Sequence, residues 1–235
     1  MERITEPELM NEAQQVSAYA SADFSDGDSA MLFRLIELCR ELGQEPGDND
    51  LLVDLGCGPG NIAERVHRQW PTTRVIGLDG AEAMLELARA RQQGCHGSEA
   101  SLQYRKAELA ELAAAGWSAV RDCSPSQAAV VVSNSLLHHL HHPEQLWQAT
   151  LKLAGDGAVV LHRDLRRPTS PEEALALRER YLPNAPEVLR HDYLASLHAA
   201  FTVEEVRAQL DHCGLHSLRV EGLADRYLEV SGRLD

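Results

Sequence analysis

The chain has 235 residues, 44% hydrophobic and 25% charged, enough for one sizeable α/β core and short for two. Its formal net charge is −14, from 36 acidic and 22 basic side chains, so its mean field repels phosphate backbones and no nucleic-acid partner is expected. The five cysteines form no C-x-x-C pair and no run approaches the ~20 apolar residues of a membrane span, so a cytoplasmic protein with reduced thiols and no membrane partner is expected.

In chain order, the first 43 residues read as a helical lid, with helical patterns at Pro7–Ala18 and Ser29–Glu41 on either side of a polar stretch. From Leu51 to Val160, short β-branched runs alternate with amphipathic stretches, an order that calls for a parallel sheet with helices on both faces. Strands are expected at Leu51–Leu55, Arg74–Asp79, Leu102–Arg105, Ala129–Ser133 and Ala158–His162. Helices are expected at Asn61–Gln69, Ala81–Gln92, Glu108–Ala115 and Pro143–Leu153. Four prolines, at 168, 171, 183 and 186, then mark an inserted segment with helices at Pro171–Tyr181 and Val188–Ala199. Thr202 with Glu205 forms a capping box that opens a last helix, Thr202–Cys213, and Leu215–Val220 with Arg226–Val230 reads as a closing hairpin.

The expected fold is therefore α/β and doubly wound: a mainly parallel seven-stranded sheet with helices on both faces and a C-terminal antiparallel hairpin. A single domain over residues 1–235 divides into the lid (1–43), a cofactor-binding core (51–162), an inserted helical cap (166–200) and the last helix with its hairpin (202–235).

The chemistry concentrates in Asp54-Leu55-Gly56-Cys57-Gly58-Pro59-Gly60-Asn61, a glycine-rich turn between an apolar strand and a helix. Glycines there permit a tight turn and close approach of a ligand to the backbone, and the next helix presents unpaired N–H groups. Nineteen residues past Gly60, Asp79 ends the second strand, where a carboxylate can accept hydrogen bonds from both ribose hydroxyls. A dinucleotide fingerprint would put a small residue at position 61, and Asn61 stands there instead.

With Asp54-x-Gly56-x-Gly58-x-Gly60, the sequence resembles the class I S-adenosylmethionine-dependent methyltransferases. It is similar in wording to uncharacterised bacterial small-molecule methyltransferases. The resemblance implies that Asp54, Gly56, Cys57, Gly58 and Gly60 form the cofactor loop, that Asp79 and Gly80 hold the ribose, and that Met84 packs on adenine. It places Glu108 and Leu109 near the adenine amino group. Ser133-Asn134-Ser135-Leu136-Leu137-His138-His139-Leu140 looks like the family's segment beneath the sulfonium, with Ser133 and Asn134 as contacts. Tyr19, in the lid, would close over the methionine end. The implied cofactor is S-adenosylmethionine, the product S-adenosylhomocysteine, and the partner a small-molecule acceptor.

Methyl transfer from a sulfonium is an in-line displacement that needs alignment and exclusion of water, with a base only where the acceptor carries a proton. His138 is the candidate catalytic base and His139 the second choice, since imidazole titrates in the useful range. No metal is expected from His138-His139-x-His141-His142, because adjacent residues diverge on a helix. Arg163 or Arg166 can pair with an acceptor anion, and Tyr181, His191, Asp192 and Tyr193 can line its pocket. Two alternatives compete: a nicotinamide-dependent oxidoreductase, which Asn61 disfavours, and a non-catalytic S-adenosylmethionine-binding protein.

Overall fold

Short apolar strands that carry hydrophobic side chains on both faces are stable only when helices cover both, and the computed structural model of the chain adopts that arrangement. It describes residues 1–8, 22–93, 101–121 and 127–235. In order, the elements are α1 (Ser25–Glu41), β1 (Leu51–Leu55), α2 (Asn61–Gln69), β2 (Arg74–Asp79), α3 (Glu82–Gln93), β3 (Leu102–Lys106) and α4 (Leu109–Ala115). They continue with β4 (Ala128–Asn134), α5 (Glu144–Leu153), β5 (Ala154–Leu165), α6 (Pro171–Tyr181), α7 (Glu187–Ala199), α8 (Val203–His212), β6 (Arg219–Leu223) and β7 (Tyr227–Arg233).

The seven strands form one sheet in the order β3-β2-β1-β4-β5-β7-β6. The first five are parallel, and β7 runs antiparallel between β5 and β6. Strand order reverses between β1 and β4, and the carboxyl ends of those two strands therefore bound a crevice where ligands of such sheets bind.

Alternate residues of each strand serve two different cores. Leu51, Val53 and Leu55 of β1 face α4, α5 and α8 through Leu112, Leu146, Trp147 and Leu210. Leu52 faces the other way, with Val130 and Leu161, onto Met31 and Leu35 of α1, Val66 of α2 and Leu85 of α3. Each such fully buried aliphatic side chain stabilises the fold by about 1.5–3 kcal/mol relative to exposure. A third cluster joins α6 and α7 to the end of β5 through Leu165, Ala174, Leu177 and Leu197, with Tyr181, Tyr193 and Tyr227 at its margin.

The structure shifts several expected boundaries. Helix α1 begins at Ser25, four residues before the expected Ser29: the Asp23 side chain accepts from Ser25 N at 2.9 Å, and Asp26 and Asp28 in the first turn complement the helix dipole. Strand β5 extends to Leu165 rather than His162, because β7 pairs with it from Val159↔Arg233 to Leu165↔Tyr227. Leu215 and Leu218, expected in the hairpin, are buried in the core before β6 starts at Arg219. The capping box of Thr202 and Glu205 forms in both directions, with N–H to oxygen distances of 2.8 and 3.2 Å. Of the expected helix Pro7–Ala18, all but its first two residues lies outside the described residues, as does Tyr19. No helix among the described residues is long and apolar enough to cross a membrane.

Candidate active site

The loop that leaves β1 is shaped by backbone conformation. Gly56, Gly58 and Gly60 have φ of 67°, 52° and 85°, in the left-handed region that costs a residue with a Cβ roughly 1–2 kcal/mol. Gly60 is also the N-cap of α2, and a Cβ there would collide with the Tyr104 hydroxyl. A Cβ on Gly58 would meet nothing within 4 Å, so the middle of the loop faces open space, as a backbone surface meant to be covered by a ligand would. The loop is tied to β2 by Gly56 N and Cys57 N, which both donate to Leu78 O, at 2.8 and 3.1 Å.

Two carboxyl groups hold the loop from either side. Asp54 is 1% exposed and accepts from Ala63 N of α2 at 3.1 Å; burial pushes its carboxyl up to about 8, so it is largely protonated at neutral pH. Asp79, at the end of β2, accepts from Gly58 N and Ala81 N, each at 2.8 Å. Burial raises its pKa against the opposing pull of those N–H groups. A carboxylate has about four lone-pair sites, so two remain for further donors. Beside it, Ala81 and Met84 form a small apolar cluster with Ala83 and Leu87. Ala107 N donates to Asp79 O at 3.0 Å, which brings Glu108, the N-cap of α4, and half-buried Leu109 to the same edge. Cys57 is buried, and its thiol pKa is pushed far up by desolvation and by the neighbouring Asp54 and Asp79, so it is inert as a nucleophile.

Asn61, where a dinucleotide site would need a small residue, accepts from Arg91 Nη1 at 2.6 Å; the same nitrogen also donates to Pro59 O at 3.2 Å. That polar contact joins α2 to α3 at the position where a dinucleotide fold needs a small residue for close helix–strand packing.

Across the crevice, Ser133 Oγ donates to Leu55 O at 2.8 Å and joins the ends of β4 and β1. Half-buried Asn134 is level with Arg163 in the sheet, and Ser135 turns the chain with φ 58°. The segment Leu137–His139 forms one 3₁₀ turn, so the imidazoles of His138 and His139 stack with centroids 4.1 Å apart. His138 is 3% exposed; its Nδ1 meets Asp164 Oδ1 at 2.5 Å, and its Nε2 lies 3.5 Å from Glu6 Oε1. His139 Nδ1 lies 3.0 Å from the same Glu6 oxygen. Burial lowers the His138 pKa, but the charge and hydrogen bond of Asp164, joined by Glu6, outweigh it and leave the value raised. Burial and the neighbouring His138 lower that of His139.

The remaining expected contacts are distributed differently. Arg163 is committed to Glu229 at 2.9 Å, and Arg166 donates to Ala224 O at 2.9 Å, so both cations already hold structural partners. Tyr181 and Tyr193 surround the Arg226 guanidinium, which stacks 3.4 Å from the Tyr181 ring centre. His191 is exposed and pairs with Asp192 on the surface.

Sequence reading missed Glu6 and the role of Asp164. Period-two alternation along β5 puts Asp164 on the His138 side of the sheet and Arg163 on the other, a signal available once β5 is known to reach Leu165. Glu6 carries no local signal; the N-terminal segment of residues 1–8 is brought over the turn by Arg3, whose guanidinium donates to the carbonyls of His138, Leu140 and Ala199.

A glycine loop after β1, an acid ending β2 and a crevice between β1 and β4 define a nucleoside-binding α/β protein, and the open Gly58 face with a doubly anchored Asp79 fits the adenosyl cofactor of the methyltransferase class. Residues 53–160 match the model of the methyltransferase domain family, and that stretch is a methyltransferase domain.

Among curated proteins it is similar to trans-aconitate 2-methyltransferase of Escherichia coli O157:H7, 39% identical over 70 residues, which are 29% of this chain and 28% of that one. It is also similar to trans-aconitate 2-methyltransferase of Streptomyces coelicolor, 29% identical over 189 residues, 72% of this chain and 56% of that one. The chain thus matches between about a quarter and just over half of the length of these relatives. In fold it is similar to the plantazolicin methyltransferase BpumL, solved with a pentazolic desmethylPZN analog and SAH, with a TM-score of 0.66 at 13% identity over 94% of this chain and 91% of that one. A SAM-dependent methyltransferase from Aquifex aeolicus gives a TM-score of 0.61 at 14% identity, over 96% of this chain and 100% of that one.

Proposed function

We propose that the chain transfers the methyl group of S-adenosylmethionine to a small-molecule acceptor and releases S-adenosylhomocysteine. The observation that carries this reading is the unbroken half-site from Asp54 to Met84, with its left-handed glycines, the open face at Gly58 and the anchored Asp79. When bound, the cofactor supplies an electrophilic methyl carbon on sulfur. In this reading Gly56, Cys57, Gly58 and Gly60 of the loop bear on the methionine and ribose, and Asp79 and Gly80 accept the ribose hydroxyls. Met84 and Leu109 pack against adenine, Glu108 meets its amino group, Asp54 shapes the loop from below, and Ser133 and Asn134 lie under the sulfonium. Tyr19 would complete the lid.

The Glu6–His138–His139 cluster is the acceptor end. The two histidines follow directly on β4, whose carboxyl end bounds the crevice. Asp164 holds His138 Nδ1, so Nε2 is the atom His138 offers to an acceptor proton. The acidic net charge and the names of the curated relatives favour a small organic acceptor over a nucleic acid. The chain is proposed to act as one domain, with residues 1–43 as lid and 166–200 as cap over that acceptor, in the cytoplasm.

Calorimetric titration with S-adenosylmethionine and S-adenosylhomocysteine, with NAD and NADP as controls, tests this. Micromolar binding of the sulfur nucleosides alone is the expected result; binding of a nicotinamide cofactor overturns the reading.

A further inference from the structure

We infer that Glu6, His138 and His139 bind a divalent first-row transition metal ion at the acceptor end of the crevice. Among the described residues, these three side chains bring their ligand atoms within 4.8 Å of one another. Two of the three sides are measured: Glu6 Oε1 lies 3.0 Å from His139 Nδ1 and 3.5 Å from His138 Nε2. Ligands about 2.0–2.2 Å from a tetrahedral ion are about 3.3–3.5 Å apart, so the His138 side matches such a site, the His139 side has to open by a few tenths of an ångström, and the imidazole pair lies within 4.8 Å. One carboxylate and two imidazoles suit zinc, cobalt or iron rather than magnesium or calcium.

Three further observations point to a cation. First, His138 has the support that metal-binding histidines generally have: Asp164 Oδ1 takes Nδ1 at 2.5 Å, which fixes the tautomer and leaves Nε2 as the ligand atom. Asp164 is itself held by Leu137 N at 2.6 Å and Leu165 N at 2.7 Å. Second, His139 Nδ1 lies 3.0 Å from the Glu6 oxygen that His138 Nε2 also faces, so both imidazoles converge on one carboxylate. Third, the charges favour it. Glu6 and Asp164 bring two carboxylates to the imidazole pair, and the Arg3 guanidinium beside them is spent on carbonyl oxygens.

The sequence argument against a metal assumed an α-helix, on which adjacent residues diverge. The 3₁₀ turn at Leu137–His139 instead tilts the two rings by only 39° and turns both toward Glu6.

The inference rests on the reading of this cluster as the acceptor end, and it changes the part His138 plays there from proton acceptor to ligand. Three protein ligands leave positions open to an oxygen or nitrogen of the acceptor, and the cation lowers the pKa of that group and fixes its direction relative to the methyl carbon.

The test is titration of chelator-treated, dialysed full-length protein with Co²⁺, read by visible d–d absorption, and with Zn²⁺ by calorimetry. One ion per chain is expected, and Glu6→Gln and His139→Ala should each weaken it at least tenfold. His142→Ala, an exposed histidine of the same run, should leave it unchanged. Glu6→Gln keeps the shape and the Ser196 contact, and unaltered S-adenosylhomocysteine affinity shows that the variants are folded. Absence of Co²⁺ binding, binding indifferent to Glu6→Gln and His139→Ala, or loss with His142→Ala overturns the metal site. If the protein binds S-adenosylhomocysteine but no cation, the methyltransferase reading survives; if it binds no sulfur nucleoside, that reading falls independently.

Discussion

The two ends of the crevice are built by different means. The proposed cofactor end is built mainly from one continuous stretch, 54–84, and depends on backbone: left-handed glycines, N–H groups on Asp79, and a loop stitched to Leu78. The proposed acceptor end gathers positions 3–6, 137–139 and 164 and is held by the side-chain charges of Glu6 and Asp164, and on the other face of β5 Arg163 and Glu229 are held in the same way. A backbone-made site tolerates change in what surrounds it, provided the glycines stay. A charge-made site fails when one partner is removed, because the others are left buried and uncompensated.

The largest effect expected from this contrast lies at Glu229, which accepts from both Arg34 and Arg163 at 2.9 Å, with the Arg163 side chain 7% exposed. Glu229→Gln should cost about 3–5 kcal/mol in chemical denaturation while the affinity for S-adenosylhomocysteine survives in the folded protein. A cost below about 1 kcal/mol would break the contrast. At the cofactor end the expected effect is smaller and of another kind: Asp79→Ala should lower S-adenosylhomocysteine affinity by about 1.5–3 kcal/mol, roughly ten- to a hundredfold, in a protein that still folds. Unchanged affinity by calorimetry sinks the ribose assignment.

The smallest effect is a pH dependence. The His138 pKa is raised above 6.5, because Asp164 and Glu6 outweigh burial. A raised folded value contributes stability that is fully present below the unfolded pKa of about 6.5 and is lost as pH climbs through the folded value. The wild type should therefore exceed Asp164→Asn in thermal stability most at pH 6, with the gap narrowing above that. A gap independent of pH would show that Asp164 acts only through its bonds to Leu137 N and Leu165 N.

Legibility in the sequence follows the same division. The glycine loop, Asp79 and Ser133-Asn134 could be read because each sits at a fixed offset from a strand end, and strand ends are marked by where β-branched runs stop. His138 could be proposed from its place after β4, but its partners could not. Asp164 belongs to the part of β5 that exists because β7 pairs with it, and Glu6 arrives from the other end of the chain through Arg3. Arg163 and Arg166, which the sequence offers to an acceptor, are consumed by Glu229 and by Ala224 O, a choice made by the hairpin.

The sequence by itself determined the alternation of strands and helices, the doubly wound sheet and the cofactor class, because hydrophobic period and glycine conformation act over a few residues. Tertiary structure alone decided that one carboxylate from the N-terminal segment and one from the end of β5 converge on a pair of histidines, since burying charge requires partners that only the folded chain brings within a few ångströms.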